Sequence, residues 1–252
     1  MARLLYLLIV AGTAVLSVRL LVSGLYRRYR AFFVYLIFAT LRGGILAVVP
    51  PTSKTYLHVW VLTEPVEWLF FVLVVLEVYS LVLQDYRGLA TVGRWSLIAA
   101  VAVALLATSL SLIAPSNYTK QGMLMTDFYA AERAVYLSLM VFLLTILALL
   151  MQYPITLSRN ILVHSVVFSV YFLGYTATYA VLTLLGYQAI DQVIYGLDAV
   201  TMAALIAWLA LLSPAGELQK QRLRPTWMPG REEALVDQLN HLNAALLRAA
   251  RK

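Results

Sequence analysis

Residues 4–49 read LLYLLIVAGTAVLSVRLLVSGLY, then RRYR, then AFFVYLIFATLRGGILAVV. Two apolar runs, each close to the roughly 20 residues that cross a bilayer as a helix, flank a short basic stretch. Only Arg19 and Arg42 interrupt the runs. A soluble helical hairpin would carry a polar face along each helix. These runs carry none, so the stretch reads as two membrane spans. The first run is too long for a signal-peptide core. Arg27, Arg28 and Arg30 after it act as a stop-transfer flank rather than a cleavage site.

Outward from this hairpin the same pattern repeats. Apolar runs cover Thr55–Leu83, Trp95–Ala114, Phe128–Gln152, Asn160–Leu185 and Gln192–Leu212, following Leu4–Tyr26 and Ala31–Val49. The fold class is therefore all-α, a polytopic membrane bundle of about seven transmembrane helices. Composition agrees: 62% of residues are hydrophobic and 12% charged, against about 25% charged in a soluble domain. The connections carry Lys and Arg alternately. Arg27, Arg28 and Arg30, then Arg87 and Arg94, then Arg159 mark one side, while the intervening connections hold Lys54, Lys120 and no basic residue at all. Excess Lys and Arg marks the cytoplasmic side, so the N-terminus is expected outside and the C-terminus inside, in the cell membrane of a bacterium. The seven-helix domain is residues 1–213. Residues 214–252 form a cytoplasmic tail, in which Leu235, Leu239, Leu242 and Leu246 give an apolar stripe on a short amphipathic helix of about residues 231–250.

Several chemistries are excluded. Cysteine is absent, which removes disulfides, iron–sulfur clusters, thiolate zinc sites and thiol catalysis. Seven spans leave no room within these 252 residues for an extramembrane catalytic domain. No phosphate-binding glycine loop, nucleophile elbow or zinc-protease helix occurs. The three histidines, His58, His164 and His241, are dispersed, and no metal site is expected. The net charge of +7 collects at helix ends and in the tail, as topology requires, and is not a nucleic-acid signal.

The informative residues are ionisable groups within spans, each costly to bury and a functional hypothesis by default. Arg42, Glu64, Glu67, Glu132, Arg133 and Asp198 fall in the outer half, and Arg19, Glu77 and His164 in the inner half. Tyr171, Tyr175 and Tyr179 recur at four-residue spacing on one helix face, and Tyr195, Asp198 and Thr201 on another. If these faces turn inward they form an outer-half pocket. Its expected ligand-binding residues are Glu64, Glu67, Arg42, Glu132, Arg133, Asp198 and Tyr175. Two arrangements compete. In one, Arg42 pairs with Glu64 or Glu67 and Arg19 pairs with Glu77, and the network only fixes helix register. In the other, carboxylates left over after pairing hold a proton, a cation or an amine.

Two stretches resemble microbial rhodopsins. Trp60-Val61-Leu62-Thr63-Glu64-Pro65 is similar to the Trp-x-x-Thr-Thr-Pro segment of their third helix. Leu197-Asp198-Ala199-Val200-Thr201-Met202 is similar to the Leu-Asp-x-x-x-Lys segment of their seventh. The resemblance implies a seven-helix bundle with the N-terminus outside. It departs at the lysine that would carry retinal, where Met202 stands, and Val59 occupies the place of the counter-ion carboxylate. Without an amine no Schiff base forms, so covalent retinal is excluded and the cofactor is left unassigned.

The functional expectation is a non-enzymatic sensor or ligand-binding bundle. Its partners are the lipid bilayer and a protein met through the C-terminal helix or the intramembrane faces. The alternatives are an accessory subunit of a larger membrane complex and a small proton- or cation-coupled transporter.

Overall fold

The computed structural model describes residues 2–50, 53–84, 86, 120–152, 156–185, 190–221 and 231–249, with single positions 95, 98 and 102. Among these, α1 is Ala2–Val22, α2 Arg30–Val48, α3 Lys54–Val82, α4 Lys120–Gln152, α5 Arg159–Leu185 and α6 Ile190–Leu211. A short α7 (Pro214–Leu218) and α8 (Arg231–Ala249) follow. Six of these helices are long and apolar enough to cross a membrane. They coincide with six of the apolar runs, and the seventh run, Trp95–Ala114, lies outside the described residues except for those single positions.

Local chemistry sets the helix ends. Gly24 has φ 73°, a left-handed conformation that costs glycine nothing, and it turns the chain from α1 into a 3-10 turn at Leu25–Arg27. Ser53 accepts the Tyr56 backbone N–H (3.1 Å) at the start of α3, and Ser158 accepts that of Ile161 (3.4 Å) at the start of α5. Both are side-chain caps on N–H groups that have no partner within the helix. Helix α3 runs through Pro65, which lacks the N–H that Val61 would otherwise accept.

The fold divides into two units, Met1–Glu77 with Val170–Pro214, and Val78–Ser169 with Ala215–Lys252. The first unit is a set of helices whose registers can be read from side-chain pairs. Tyr6 donates to the Gly43 carbonyl and Thr40 to Thr13, so α1 and α2 are antiparallel. Phe38 packs on Phe70 and Tyr35 on Phe71, so α2 and α3 are antiparallel. Gly174 lies against Val200 and Gly196 against Thr178, so α5 and α6 are antiparallel. Helices α1 and α6 run parallel. Arg19 reaches the Leu212 carbonyl, and the same spacing of 193 residues separates Gly12 from its neighbour Leu205. The core of this unit is aromatic. Phe71 and Phe172 are fully buried and meet edge to face, and Phe32, Trp208 and Tyr171 continue the packing. The opposite faces present Leu4, Val18, Leu41, Leu62 and Ile206 outward. Helices apolar on the inside and the outside alike belong in lipid.

The second unit holds α4, the start of α5 and the tail. Val135, Tyr136, Leu139 and Leu143 are its buried stripe on α4, and Tyr79 packs on Phe142. The chain after α6 returns to the start of α5. Two residues of β1 (Leu157–Ser158) pair antiparallel with β2 (Lys220–Gln221), Leu157 opposite Gln221. The Arg159 backbone N–H donates to the Gln219 carbonyl (2.9 Å). Helix α8 buries Leu239, while Leu242 is exposed. Leu235 and Leu246 are part-buried and Asn243 shares the inward side, so the expected leucine stripe is rotated off Leu242.

Candidate functional site

In the first unit, the registers place the N-terminus of α1, the C-terminus of α2, the N-terminus of α3 and the N-terminus of α6 at one end. Polar groups gather there. Arg42, near the last turn of α2, forms ion pairs with Glu64 through Nη2 and with Glu67 through Nη1. Its Nε donates to Thr63 Oγ1 at 2.8 Å. Thr63 and Glu64 are adjacent on α3 and Glu67 follows one turn later, and the guanidinium fork matches them with its three donor positions. Side-chain exposure is 12% for Arg42, 5% for Glu64 and 15% for Glu67, so the cluster is removed from bulk solvent. Thr63 also donates back to the Val59 carbonyl, which fixes its oxygen toward Arg42.

Asp198 sits on α6 at the same end. Its carboxylate lies within electrostatic range of the Tyr6 and Tyr56 phenols, and both phenols lie within range of Arg42. The parallel packing of α1 on α6 brings Tyr6 level with Asp198. Asp198 makes no hydrogen bond or ion pair among the described residues, although it is half-buried. Asp198 thus shares the Tyr6 and Tyr56 phenols with Arg42, while the Arg42 guanidinium itself serves Glu64 and Glu67.

Tyr175 extends the polar system along the bundle. Its hydroxyl and that of Thr201 are 2.8 Å apart, and its ring meets Tyr171 at 4.5 Å and Tyr179 at 6.3 Å between centroids. Tyr171 is buried against Tyr175, and its phenol lies within electrostatic range of Tyr35 and Tyr175. Tyr35 is in turn within electrostatic range of Arg42 and Glu64. The hydroxyls thus run from the carboxylate cluster to the α5–α6 pair, where Phe71, Phe172, Phe32 and Trp208 close the interior.

Glu132 and Arg133, expected in the same pocket, belong to the second unit. Glu132 is buried and Arg133 part-buried. Tyr195 is 47% exposed and does not join Asp198 and Thr201 inside. The pairing expected between Arg19 and Glu77 does not form as read. The Arg19 guanidinium donates to the Leu212 carbonyl at 2.7 Å, and the Glu77 carboxylate accepts the Ala31 and Phe32 N–H groups at 2.8 and 3.1 Å. Each charge instead meets the helix terminus of opposite partial charge, a cation at the C-terminus of α6 and an anion at the N-terminus of α2.

Sequence reasoning missed Tyr6, Tyr56 and Thr63 at the site. Thr63 lies one residue before Glu64, so its place on the Arg42 face was within reach of helical spacing. Tyr6 enters through the packing of α1 against α6, and Tyr56 through its place at the same end of α3. In the second unit, Asn160 is fully buried and donates to Glu217 at 2.9 Å, which ties the tail to α5. His164, one turn further, is buried and stacks on Phe168 at 5.9 Å. Among the described residues no group of three or more His, Asp or Glu side chains is placed to hold a metal ion. In comparisons with known proteins, no family model, no curated protein and no solved structure matches the chain.

Proposed function

We propose that the chain is a non-enzymatic seven-helix membrane protein, with its N-terminus outside and its C-terminus in the cytoplasm. It binds a proton or a small cationic ligand in an outer-half pocket and passes the bound state to its cytoplasmic face. The apolar length of the run Trp95–Ala114 supports a seventh span, and the alternation of basic connections supports the orientation. The pocket is formed by Arg42, Glu64, Glu67 and Asp198, with Tyr6 and Tyr56 beside them.

One observation carries this reading. Arg42 is shared by Glu64 and Glu67, which leaves Asp198 without an ion pair among the described residues. A carboxylate at membrane depth is stable when it is protonated or holds a cation, and two tyrosines beside it supply aromatic faces and hydroxyl oxygens that suit a cation. A purely register-fixing network would need no acid beyond those Arg42 satisfies. The hydroxyl series through Tyr35, Tyr171, Tyr175 and Thr201 gives the pocket a physical connection to the α5–α6 pair.

The test is native mass spectrometry of the protein released from a mild detergent, comparing wild type with Asp198→Asn. A small bound mass on the wild type that disappears in the variant is the expected result. If proton binding is the event, no mass appears, and the pH dependence of intrinsic tryptophan fluorescence is expected to change in the variant. Other protein chains released with it in fixed stoichiometry, with both signals flat, would make it a complex subunit and overturn the reading.

A further inference from the structure

The connection between α1 and α2 is more than a basic loop. Gly24 in the left-handed conformation and the 3-10 turn at Leu25–Arg27 reverse the chain tightly. Leu25, the first residue of the turn, and Tyr29, just after it, are buried. The backbone closes on itself, with the Arg28 and Tyr29 N–H groups both donating to the Leu25 carbonyl at 3.0 Å. Arg27, Arg28 and Arg30 are exposed on this fixed turn.

Two of the guanidiniums are oriented through the same atom. Arg27 Nε donates to the Tyr26 hydroxyl at 3.1 Å, and Arg30 Nε donates to the Arg27 carbonyl at 3.2 Å. The Arg27 guanidinium also sits 5.7 Å from the Tyr26 ring centre. Anchoring through Nε leaves these bonds clear of the Nη pair, and that pair forms the edge that accepts a phosphate with two parallel hydrogen bonds. The nearby acid, Glu77, accepts the backbone N–H groups of α2 and lies within electrostatic range of Arg30, while no ion pair joins them. Beside the turn, Leu21 and Val22 are exposed, Val22 at 81%. A phosphate bound here therefore has apolar surface next to it, on the side where α1 enters the membrane.

We propose that this turn is a headgroup site for an anionic phospholipid, with Arg27, Arg28 and Arg30 binding the phosphate and Leu21 and Val22 meeting the acyl chain. The adjacent apolar surface favours a lipid over a free phosphate, and the fixed guanidinium geometry goes beyond the charge that topology alone requires.

The test reconstitutes the full chain into vesicles of equal phosphatidylglycerol and phosphatidylcholine, extracts it with mild detergent and measures the retained lipid by chromatography and mass spectrometry. The wild type is expected to enrich phosphatidylglycerol at least about fivefold, the factor that one basic residue near a charged surface contributes. Arg27→Lys, Arg28→Lys and Arg30→Lys made together keep the charge and the insertion signal but lose the fork, and retention is expected to fall severalfold below that of the wild type, to what charge alone supports. The proposal fails if the wild type shows no enrichment. It fails equally if the triple lysine variant enriches as well as the wild type, because charge alone then accounts for binding. Displacement of the retained lipid by 10 mM inorganic phosphate, a concentration on the order of weak free-anion binding, would show a free-anion site instead.

Discussion

The two ends of the first unit handle their charges in opposite ways. At the end holding Arg19, arginine and glutamate both meet backbone. Arg19 bonds the last carbonyl after α6, and Glu77 receives the first N–H groups of α2. At the end holding Tyr6, arginine and glutamates meet each other, Arg42 with Glu64 and Glu67, and Asp198 is left beside two phenols. Charges on helix termini are fixed by backbone groups where the fold requires them. Charges that face one another across α2, α3 and α6 leave an acid surplus. The first arrangement reads as structure, and the second reads as a site.

The comparison is broken most forcefully at Arg42. Arg42→Met strips two carboxylates of low exposure of their partner, and removal of one member of a buried ion pair costs about 3–5 kcal/mol. The variant is expected to lose that much in thermal unfolding in detergent. Adding Glu64→Gln and Glu67→Gln to it should restore most of the loss, since the cost lies in the unpaired charges. If Arg42→Met unfolds like wild type, the cluster is open to water and the contrast between the ends disappears.

At the other end Glu77→Leu removes the acceptor of two N–H groups at the start of α2. Unsatisfied buried donors cost roughly 1–3 kcal/mol each set free of a partner, and Glu77→Gln, which keeps one acceptor oxygen, should cost less. The readout is hydrogen exchange of Ala31 and Phe32, expected to quicken in the leucine variant while the Arg42 end is unchanged. Equal quickening at both ends would mean that the ends are not energetically separate.

Close helix approach sharpens the comparison next. A Cβ on Gly174 would meet Val200 side-chain atoms at 2.7 and 2.8 Å, and one on Gly43 would meet Val10 at 2.6 Å. Gly174→Ala overpacks the α5–α6 contact that holds Tyr175 against Thr201, at a cost of about 1–3 kcal/mol. Val200→Ala in the same chain should relieve it. A double variant no more stable than Gly174→Ala would show that the contact does not set this spacing.

Much of this was legible in the apolar runs, because a run of bilayer length surrounded by Arg, Ser and Pro has few other ways to fold. Six helices stand where the runs are. The pairing of Arg42 with Glu64 and Glu67 was legible too, since antiparallel neighbours place equal depths together. The partners of Arg19 and Glu77 were not. Their depths match as well, but depth carries no information about azimuth, and helix termini compete for the same charges. Tyr6 and Tyr56 were hidden because nothing local in α1 or α3 announces that α1 packs parallel to α6. Tyr195 shares a helical face with Asp198 by spacing, yet it is exposed, since a spacing rule fixes which side chains stack and not which way the stack points. The pairing of β1 with β2 is two residues long and depends on contacts some sixty positions apart.

Asp198 is where the smallest structural effect and the largest functional one are expected together. Asp198→Asn keeps the shape and one acceptor oxygen while exchanging the other for an NH2 donor, and no ion pair among the described residues is lost with the charge. Its unfolding temperature in detergent should stay within the change that surface substitutions produce, about 0.5 kcal/mol. Arg42 then keeps its two glutamates, and Tyr175 keeps its bond to Thr201. What should vanish is the response to protons or small cations, read as the fluorescence titration of Trp60 and Trp68, which lie on the same helix as Glu64. A destabilised Asp198→Asn would instead assign the carboxylate to the structural side of the comparison, alongside Glu77, and the Tyr6 end would lose its claim to be a site.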